Sequence, residues 1–208
     1  MKHLKMLGLA VVAAAALTAV IGAGTASATE LCSTATTTCS GTKYGVGTEI
    51  HAVLESGTTA TLTTSITTVT CTESTVQGHV TNAGGAGAVK GQLTALTFGG
   101  CTRTGGEECT VEATNLGTVE VTGGSASKTG TFSFKVTSKT GANVVCGSFI
   151  NCTFSTSSAT LEGKNRESGT PTIKANNISL AREGGICPST STWTAAYEVT
   201  SPDPLYVV

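Results

Sequence analysis

The chain has 208 residues, of which 12% are charged, 39% are hydrophobic and 4% are aromatic. Its 12 Lys and Arg residues and 13 Asp and Glu residues give a formal net charge of −1, which excludes the basic footprint that nucleic-acid binding requires. Low charge combined with this hydrophobic content also excludes a disordered chain.

The first element in chain order is a predicted signal peptide over residues 1–28. Lys2, His3 and Lys5 form a positive n-region, and the uncharged stretch 6–21 that follows is rich in Ala, Val and Leu. The segment 26–28, Ala-Ser-Ala, fits the A-x-A cleavage rule, so we expect cleavage after Ala28. The two lysines leave with the leader, which gives residues 29–208 a net charge of −3. The alternative is an uncleaved membrane anchor, because residues 6–28 nearly span a bilayer.

Residues 29–208 contain no second hydrophobic segment. We therefore predict a protein that is secreted or held at the cell surface, without a transmembrane segment after cleavage.

Short runs in which apolar and polar residues alternate dominate the remaining chain and predict β-strands. Segments rich in Gly, Ser and Asn separate these runs, and Asn115-Leu116-Gly117 predicts a hairpin turn between two of them. The apolar positions of the runs, in chain order, are Ile50, Ala52 and Leu54; Ala60 and Leu62; Val76, Gly78 and Val80; Leu93 to Phe98; Phe132, Phe134 and Val136; Ile173 and Ala175; Ile178 and Leu180; and Trp193, Ala195, Tyr197 and Val199.

This pattern predicts an all-β fold in a single domain over residues 29–208. About a fifth of the residues are Thr, which favours strands, and no long stretch has helical periodicity. We expect a two-layer antiparallel β-sandwich, Ig-like or related. A faint internal repeat, in which a Thr-rich run ending in Cys precedes a Gly-Gly-Cys segment, suggests two similar halves, 29–122 and 123–208.

Eight cysteines, all after the predicted leader, indicate four structural disulfides. No C-x-x-C motif occurs, and the predicted mature chain has only His51 and His79, so we expect neither a metal site nor another cofactor. The cysteines are Cys32, Cys39, Cys71, Cys101, Cys109, Cys146, Cys152 and Cys187.

The connectivity is open, since eight cysteines allow 105 pairings. Spacing favours one set, in which three pairs bracket a short loop or a hairpin-like region and the fourth pair is what remains. Cys146 with Cys187 is a competing pair. The favoured set is Cys32–Cys39, Cys71–Cys101, Cys152–Cys187 and Cys109–Cys146.

Few residues suggest catalysis. His51 and His79 fall at polar positions of predicted strands, which favours solvent-facing side chains over a general base or a ligand pair. Asp203 is the only Asp, so an Asp-dependent triad would have to use a residue that lies between two prolines. Glu107-Glu108 lies in a Gly-flanked loop, where an exposed turn is expected rather than a glycosidase pair. We therefore assign no catalytic residue.

Trp193 and Tyr197 lie on one face of the same predicted strand. They form either a ligand-stacking aromatic patch or part of a core-facing strand that packs under a disulfide.

Two segments resemble small, exported, Thr- and Gly-rich, disulfide-containing β-proteins of actinobacteria. These segments are Leu93-Thr-Ala-Leu-Thr-Phe-Gly-Gly-Cys101 and Cys187-Pro-Ser-Thr-Ser-Thr-Trp193-Thr-Ala-Ala-Tyr197. The early cysteines around a Thr-rich loop add to the likeness. The resemblance implies a bacterial source, export and a β-rich fold, and it supplies no site residue.

Three functions are compatible with these observations. We expect a secreted or cell-surface binding or structural module without catalytic activity, whose partner is an extracellular or cell-envelope component. The alternatives are a carrier with a pocket for a small ligand between its sheets, and a Glu-dependent hydrolase. A deep apolar pocket would favour the carrier, and two Glu residues facing each other across a groove would favour the hydrolase.

Overall fold

The computed structural model describes residues 28–208, so the predicted leader lies outside the described residues except for Ala28. Fourteen strands are present in this part of the chain. In residues 28–208 no helix is long and apolar enough to cross a membrane. The strands are β1 (Leu31–Cys32), β2 (Glu49–Leu54), β3 (Ala60–Thr63), β4 (Thr68–Ala83), β5 (Val89–Arg103), β6 (Cys109–Asn115), β7 (Thr118–Gly123), β8 (Thr131–Val136), β9 (Thr140–Cys146), β10 (Ile150–Thr156), β11 (Ala159–Lys164), β12 (Thr172–Gly184), β13 (Thr190–Ser201) and β14 (Tyr206–Val207).

Eight of these strands form a closed antiparallel barrel. The hydrogen-bonded ring runs β2–β4–β5–β7–β8–β11–β12–β13 and closes where β13 pairs with β2, with Tyr197 opposite Leu54. We call the half of the barrel that contains β2, β7, β8 and β11 the upper half.

The remaining long strands extend the barrel into a lower half. Strands β4, β5, β12 and β13, of 12 to 16 residues, run through both halves. The other four wall positions are each occupied by two short strands in line: β2 with β3, β7 with β6, β8 with β9, and β11 with β10. The chain therefore passes up and down the barrel wall eight times, and neighbouring passes are adjacent in sequence except where the last pass, β13, pairs with the first.

The all-β prediction is confirmed, but the packing differs from the predicted two-layer Ig-like sandwich. A barrel and a sandwich share the alternation of inward and outward residues, so the sequence pattern does not distinguish them. What separates them here is the pairing of β13 with β2, which leaves no free edge in the upper ring. The division into halves 29–122 and 123–208 stays a prediction, and strands from both ranges contribute to the upper and lower halves.

The hairpin turn predicted at residues 115–117 is wrong. Strand β6 ends at Asn115 and β7 begins at Thr118, and the two do not pair with each other. Instead β6 pairs with β9, and β7 pairs with β5 and β8. The segment interrupts one long pass of the chain rather than reversing its direction.

Bulges keep the apolar residues inside the barrel along the long strands. On β12 the pairing shifts between Ala175 and Ile178, and Asn177 adopts a positive φ of 51°. The extra residue moves the inward positions from odd to even numbers, which explains why the sequence shows two short apolar runs there. An equivalent shift on β5, opposite Gln77 and Gly78, places Leu93 on the inner face of the barrel together with Leu96 and Phe98.

The two terminal strands of the described chain form a lid on the upper half. Strand β1 pairs with β14, with Leu31 opposite Val207. The side chains of Leu31, Leu205 and Val207 are buried in the main core of the barrel. The upper end is therefore closed by hydrophobic residues from the lid.

All eight cysteines form disulfides, which indicates an oxidising compartment outside the cytoplasm. One disulfide lies in the lid, and the other three tie together strands and turns of the lower half. They are the four pairs favoured by spacing, and the competing Cys146–Cys187 pair does not form. The pairs are Cys32–Cys39, Cys71–Cys101, Cys109–Cys146 and Cys152–Cys187.

Candidate functional site

The interior of the barrel encloses an apolar cavity of about 160 Å³. Strands of both halves line it, and none of the lining residues is charged. Five of the nine aromatic residues of the chain surround this space, although aromatics are only 4% of the sequence. These five are Phe98, Phe134, Phe154, Trp193 and Tyr197.

A second cavity of about 90 Å³ lies in the upper half, beneath the lid. Leu31, Leu205 and Val207 of the lid line it, together with Phe132. The two cavities share a belt of apolar side chains, which separates them along the barrel axis. The belt consists of Ala52, Val76, Leu93, Phe134 and Ile173.

Trp193 and Tyr197, predicted to share a strand face, both point into the larger cavity. The Trp193 ring packs edge-to-face against Phe98, with 5.4 Å between ring centroids and an interplanar angle of 81°. This is a favourable arrangement for two aromatic rings, and it fixes one wall of the cavity.

The hydroxyl of Tyr197 is bonded within the protein. Ser74 Oγ donates to the Thr97 carbonyl at 2.8 Å, and the Tyr197 hydroxyl lies 2.9 Å from Ser74 Oγ. Burial raises the pKa of Tyr197 to about 12, although the hydrogen bond with Ser74 acts in the opposite direction. The phenol is therefore neutral at physiological pH, and its polar atom is already satisfied.

The cavity thus presents apolar surface without a buried charge. Cavities of this kind stay dry, because a water molecule inside would lack two or more polar partners. An engineered apolar cavity of roughly 150 Å³ binds benzene or xenon, so this volume is sufficient for a small apolar molecule.

Asn165 holds the lid over the upper cavity. Its side chain is fully buried, and Nδ2 donates to the carbonyls of Ser127 at 3.1 Å and Val207 at 2.8 Å. The Val207 amide in turn donates to Asn165 Oδ1 at 3.0 Å. The Asn165 side chain therefore forms the two hydrogen bonds with Val207 of β14 that a neighbouring strand would otherwise provide.

The wall of the lower half contains a seam between β5 and β6. In the described chain these adjacent strands form no ladder with each other: the isolated bridge beside the seam joins Thr102 of β5 to Glu108, which precedes β6, and β6 forms its ladder with β9. Leu96, Phe98 and Val111 border the seam, line the larger cavity and are partly exposed. The seam is therefore where the cavity wall has the fewest backbone hydrogen bonds.

A glutamine side chain closes the upper end of this seam. Gln92 Nε2 donates to the carbonyls of Leu116 at 2.9 Å and Gly117 at 3.2 Å, and the Leu93 amide donates to the Gly117 carbonyl at 3.1 Å. The interruption between β6 and β7 is thus joined to β5 by a side chain as well as by the backbone.

The two histidines are partly exposed and lie close together on strands β2 and β4. His51 pairs with Gln77 and His79 with Glu49 on these neighbouring strands, so the histidines are diagonal neighbours. Among residues 28–208 no group of three or more His, Cys, Asp or Glu side chains is arranged to hold a metal ion.

The acidic residues considered for hydrolysis are separated from the cavity. Glu107 forms an ion pair with Arg103 in the turn between β5 and β6, and Glu108 is exposed beside it. Asp203 is exposed in the segment between β13 and β14. These positions do not bring two carboxylates together across the interior.

An open groove of about 850 Å³ on the outside of β11 and β12 is the other concave region of note. It contains Glu55, which is engaged by Arg166 at 2.9 Å and lies 3.9 Å from Lys174 Nζ. Arg166 also contacts Glu198 at 3.3 Å. Half of the charged residues that line this groove, namely Glu55, Arg166 and Lys174, are engaged in ion pairs with one another.

Sequence reasoning identified two of the cavity residues as candidates and missed the polar residues that support the site. Ser74 and Asn165 are both buried, but nothing in their neighbouring sequence distinguishes them from exposed Ser and Asn. Their burial depends on closure of the ring and on the position of the lid.

In comparisons with known proteins, no family model, curated protein or solved structure matches this chain.

Proposed function

We propose that this protein is an exported, non-catalytic binding protein that holds a small apolar molecule inside its barrel. The single observation that carries the proposal is the uncharged, aromatic-rich cavity between the barrel walls. This cavity favours the carrier over a purely structural module, because a protein interior is ordinarily packed with few voids larger than a water molecule.

The chemistry of the lining specifies the ligand class. A charged ligand would lose its hydration without gaining a partner, so the site selects against ions and strongly polar molecules. Phe98, Phe134 and Trp193 offer ring faces and edges to a ligand. The favoured class is therefore a compact, uncharged molecule with aromatic or branched hydrocarbon character, of about the size of a substituted benzene.

The seam between β5 and β6 supplies the route of exchange. A ligand passing between Leu96 and Val111 meets apolar side chains on both sides. Parting the two strands there breaks few backbone hydrogen bonds, since β6 remains paired with β9. The three disulfides of the lower half keep the rest of the wall together during this opening.

Residues that bear chemistry do not converge on the cavity, which supports a binding role rather than catalysis. The four disulfides support a location in an oxidising compartment, secreted or at the cell surface. Delivery to, or capture from, the cell envelope fits a carrier whose ligand has low solubility in water.

Trp193 provides the test, because it is the only tryptophan of the chain and lines the cavity. Titration with bromobenzene should quench its fluorescence to a saturating limit, since the bromine would lie in contact with the indole ring. Quenching that rises linearly with concentration, as for collisions in solution, would contradict the proposal.

A pair of matched variants locates the binding. Ala175→Leu fills part of the larger cavity with a bigger side chain, whereas Ala196→Leu makes the same substitution at an outward position of β13. We expect saturable quenching to be lost in A175L and kept in A196L, with both variants folded by circular dichroism. Equal quenching in the two variants would place the ligand elsewhere.

A further inference from the structure

The lower end of the barrel presents three exposed apolar side chains, each at the turn of a different hairpin. Ile66 is 70% exposed, Phe149 is 97% exposed and Ile186 is 105% exposed relative to a free residue. They belong to the β3–β4, β9–β10 and β12–β13 turns, respectively. Apolar side chains concentrated at one end of a molecule in this way, rather than scattered singly over its surface, point to an interaction site.

The three turns are consecutive along the rim. Strand β10 pairs with β12, and β13 pairs with β3, so the hairpins that bear Phe149, Ile186 and Ile66 follow one another around the lower end. Since neighbouring strands are about 4.8 Å apart, successive tips lie about 10 Å apart along this arc. We call these three side chains the apolar tips.

The structure holds the tips away from the core. Cys187, directly after Ile186, is bonded to Cys152 on β10, and the disulfide of Cys146 lies three residues before Phe149. In the Ile66 turn, Thr64 Oγ1 accepts hydrogen bonds from the amides of Ile66 and Thr67. The turns thus hold the tips in the exposed position, so little conformational entropy is lost when the tips bind.

The electrostatics of this end specify the partner. The segments 64–67, 147–150 and 185–189 contain no charged residue. Nearby, Arg103 and Arg182 are balanced by Glu107 and Glu108, and Glu183 is paired with Lys139 at 2.6 Å, so the rim has no excess of either sign. An acidic or basic partner would find no complementary charge here.

From these observations we propose that the apolar tips insert into the surface of an electrically neutral lipid bilayer. Separate side chains about 10 Å apart, with Ser, Thr and Gly between them, partition individually into the interfacial region of a membrane. A protein partner would instead need a contiguous apolar patch to form a packed interface core. This proposal is independent of the internal cavity.

The test uses the oxidised, exported protein, whose N-terminal sequence begins at Thr29, in flotation with phosphatidylcholine vesicles. Combined Ile66→Ser, Phe149→Ser and Ile186→Ser substitutions should lower the partition coefficient by more than about tenfold, because three apolar contacts are lost. Val46→Ser is the matched control, since Val46 is also 70% exposed but lies at the upper end, and it should leave binding unchanged.

Two further conditions sharpen the result. Binding should not change between low and high salt, because no charge is involved, and an unchanged melting temperature of the triple variant confirms that it folds. Absence of wild-type binding, or equal binding of the triple variant, would refute the proposal. Self-association of the wild type in sedimentation, lost in the triple variant without any vesicle binding, would likewise overturn it and assign the tips to protein contact.

Discussion

Reduction of the disulfides should unfold the barrel from its lower half. The pairs Cys71–Cys101, Cys109–Cys146 and Cys152–Cys187 close loops with sequence separations of 30, 37 and 35 residues. These loops follow one another without overlap, so their effects on the unfolded chain are independent. Loop-closure entropy gives about 4 kcal/mol for each, and about 11 kcal/mol together, at 25 °C. A typical domain has a total stability of roughly 5–15 kcal/mol, so the loss is of the same size.

Pairwise variants separate the individual contributions. Cys109→Ala with Cys146→Ala should lower the free energy of unfolding by about 4 kcal/mol, because a long loop is released. Cys32→Ala with Cys39→Ala is the control: its sequence separation is 7, for which the same relation gives about 2 kcal/mol. Urea denaturation followed by Trp193 fluorescence measures both values. The reasoning fails if reductant leaves the denaturation midpoint of the wild type unchanged, or if the lid pair has the larger effect.

Three further predictions concern single residues. Asn165→Ala removes three hydrogen bonds, two of them buried, and should lower the free energy of unfolding by about 3 kcal/mol, with faster amide exchange in β14; unchanged exchange there would contradict the role given to this side chain. Gly163→Ala places a Cβ atom in steric overlap with the ring of Phe132 and should destabilise the protein by about 2 kcal/mol in urea denaturation. Gly45→Ala, where nothing lies within 4 Å, should stay within about 0.5 kcal/mol of wild type, and equal effects of the two substitutions would refute the packing argument. Because the pKa of Tyr197 is raised from 10.0 to about 12, its contribution is complete below pH 10 and is lost as the pH rises through 12, by roughly 3 kcal/mol. Tyr197→Phe should lack this alkaline loss when unfolding free energies are compared across that window, and parallel pH profiles would show that Tyr197 is not its source.

The local structure followed from the sequence because it depends on neighbouring residues. The alternation in β2 and β13 correctly predicted strands and placed Trp193 and Tyr197 on the same face of β13. The cysteine spacing favoured the observed pairs because each joins strands or turns that lie close along the chain, as with Cys71 and Cys101 on the β4–β5 hairpin.

The global arrangement did not follow, because it depends on contacts between distant residues. Closure of the ring requires Leu54 to meet Tyr197, and nothing in the pattern of either strand encodes that partner. The cavity, the seam and the burial of Asn165 all result from this closure. The turn predicted at residues 115–117 was wrong for a related reason: Gly117 fits an interruption within one pass as well as a reversal of the chain.

The closing contacts also determine the order in which this protein can fold. Most neighbouring strands are joined by short connections, but Leu54 and Tyr197 pair across 143 residues, the difference of their numbers. Contacts of such long separation form slowly, because the chain loses the entropy of closing the loop before the new contacts stabilise it. During synthesis or export the early hairpins therefore persist as an open sheet whose free edges are β2 and the most recently added strand. Such edges invite pairing with other chains, so the interval before β13 arrives is the period of greatest aggregation risk for this protein.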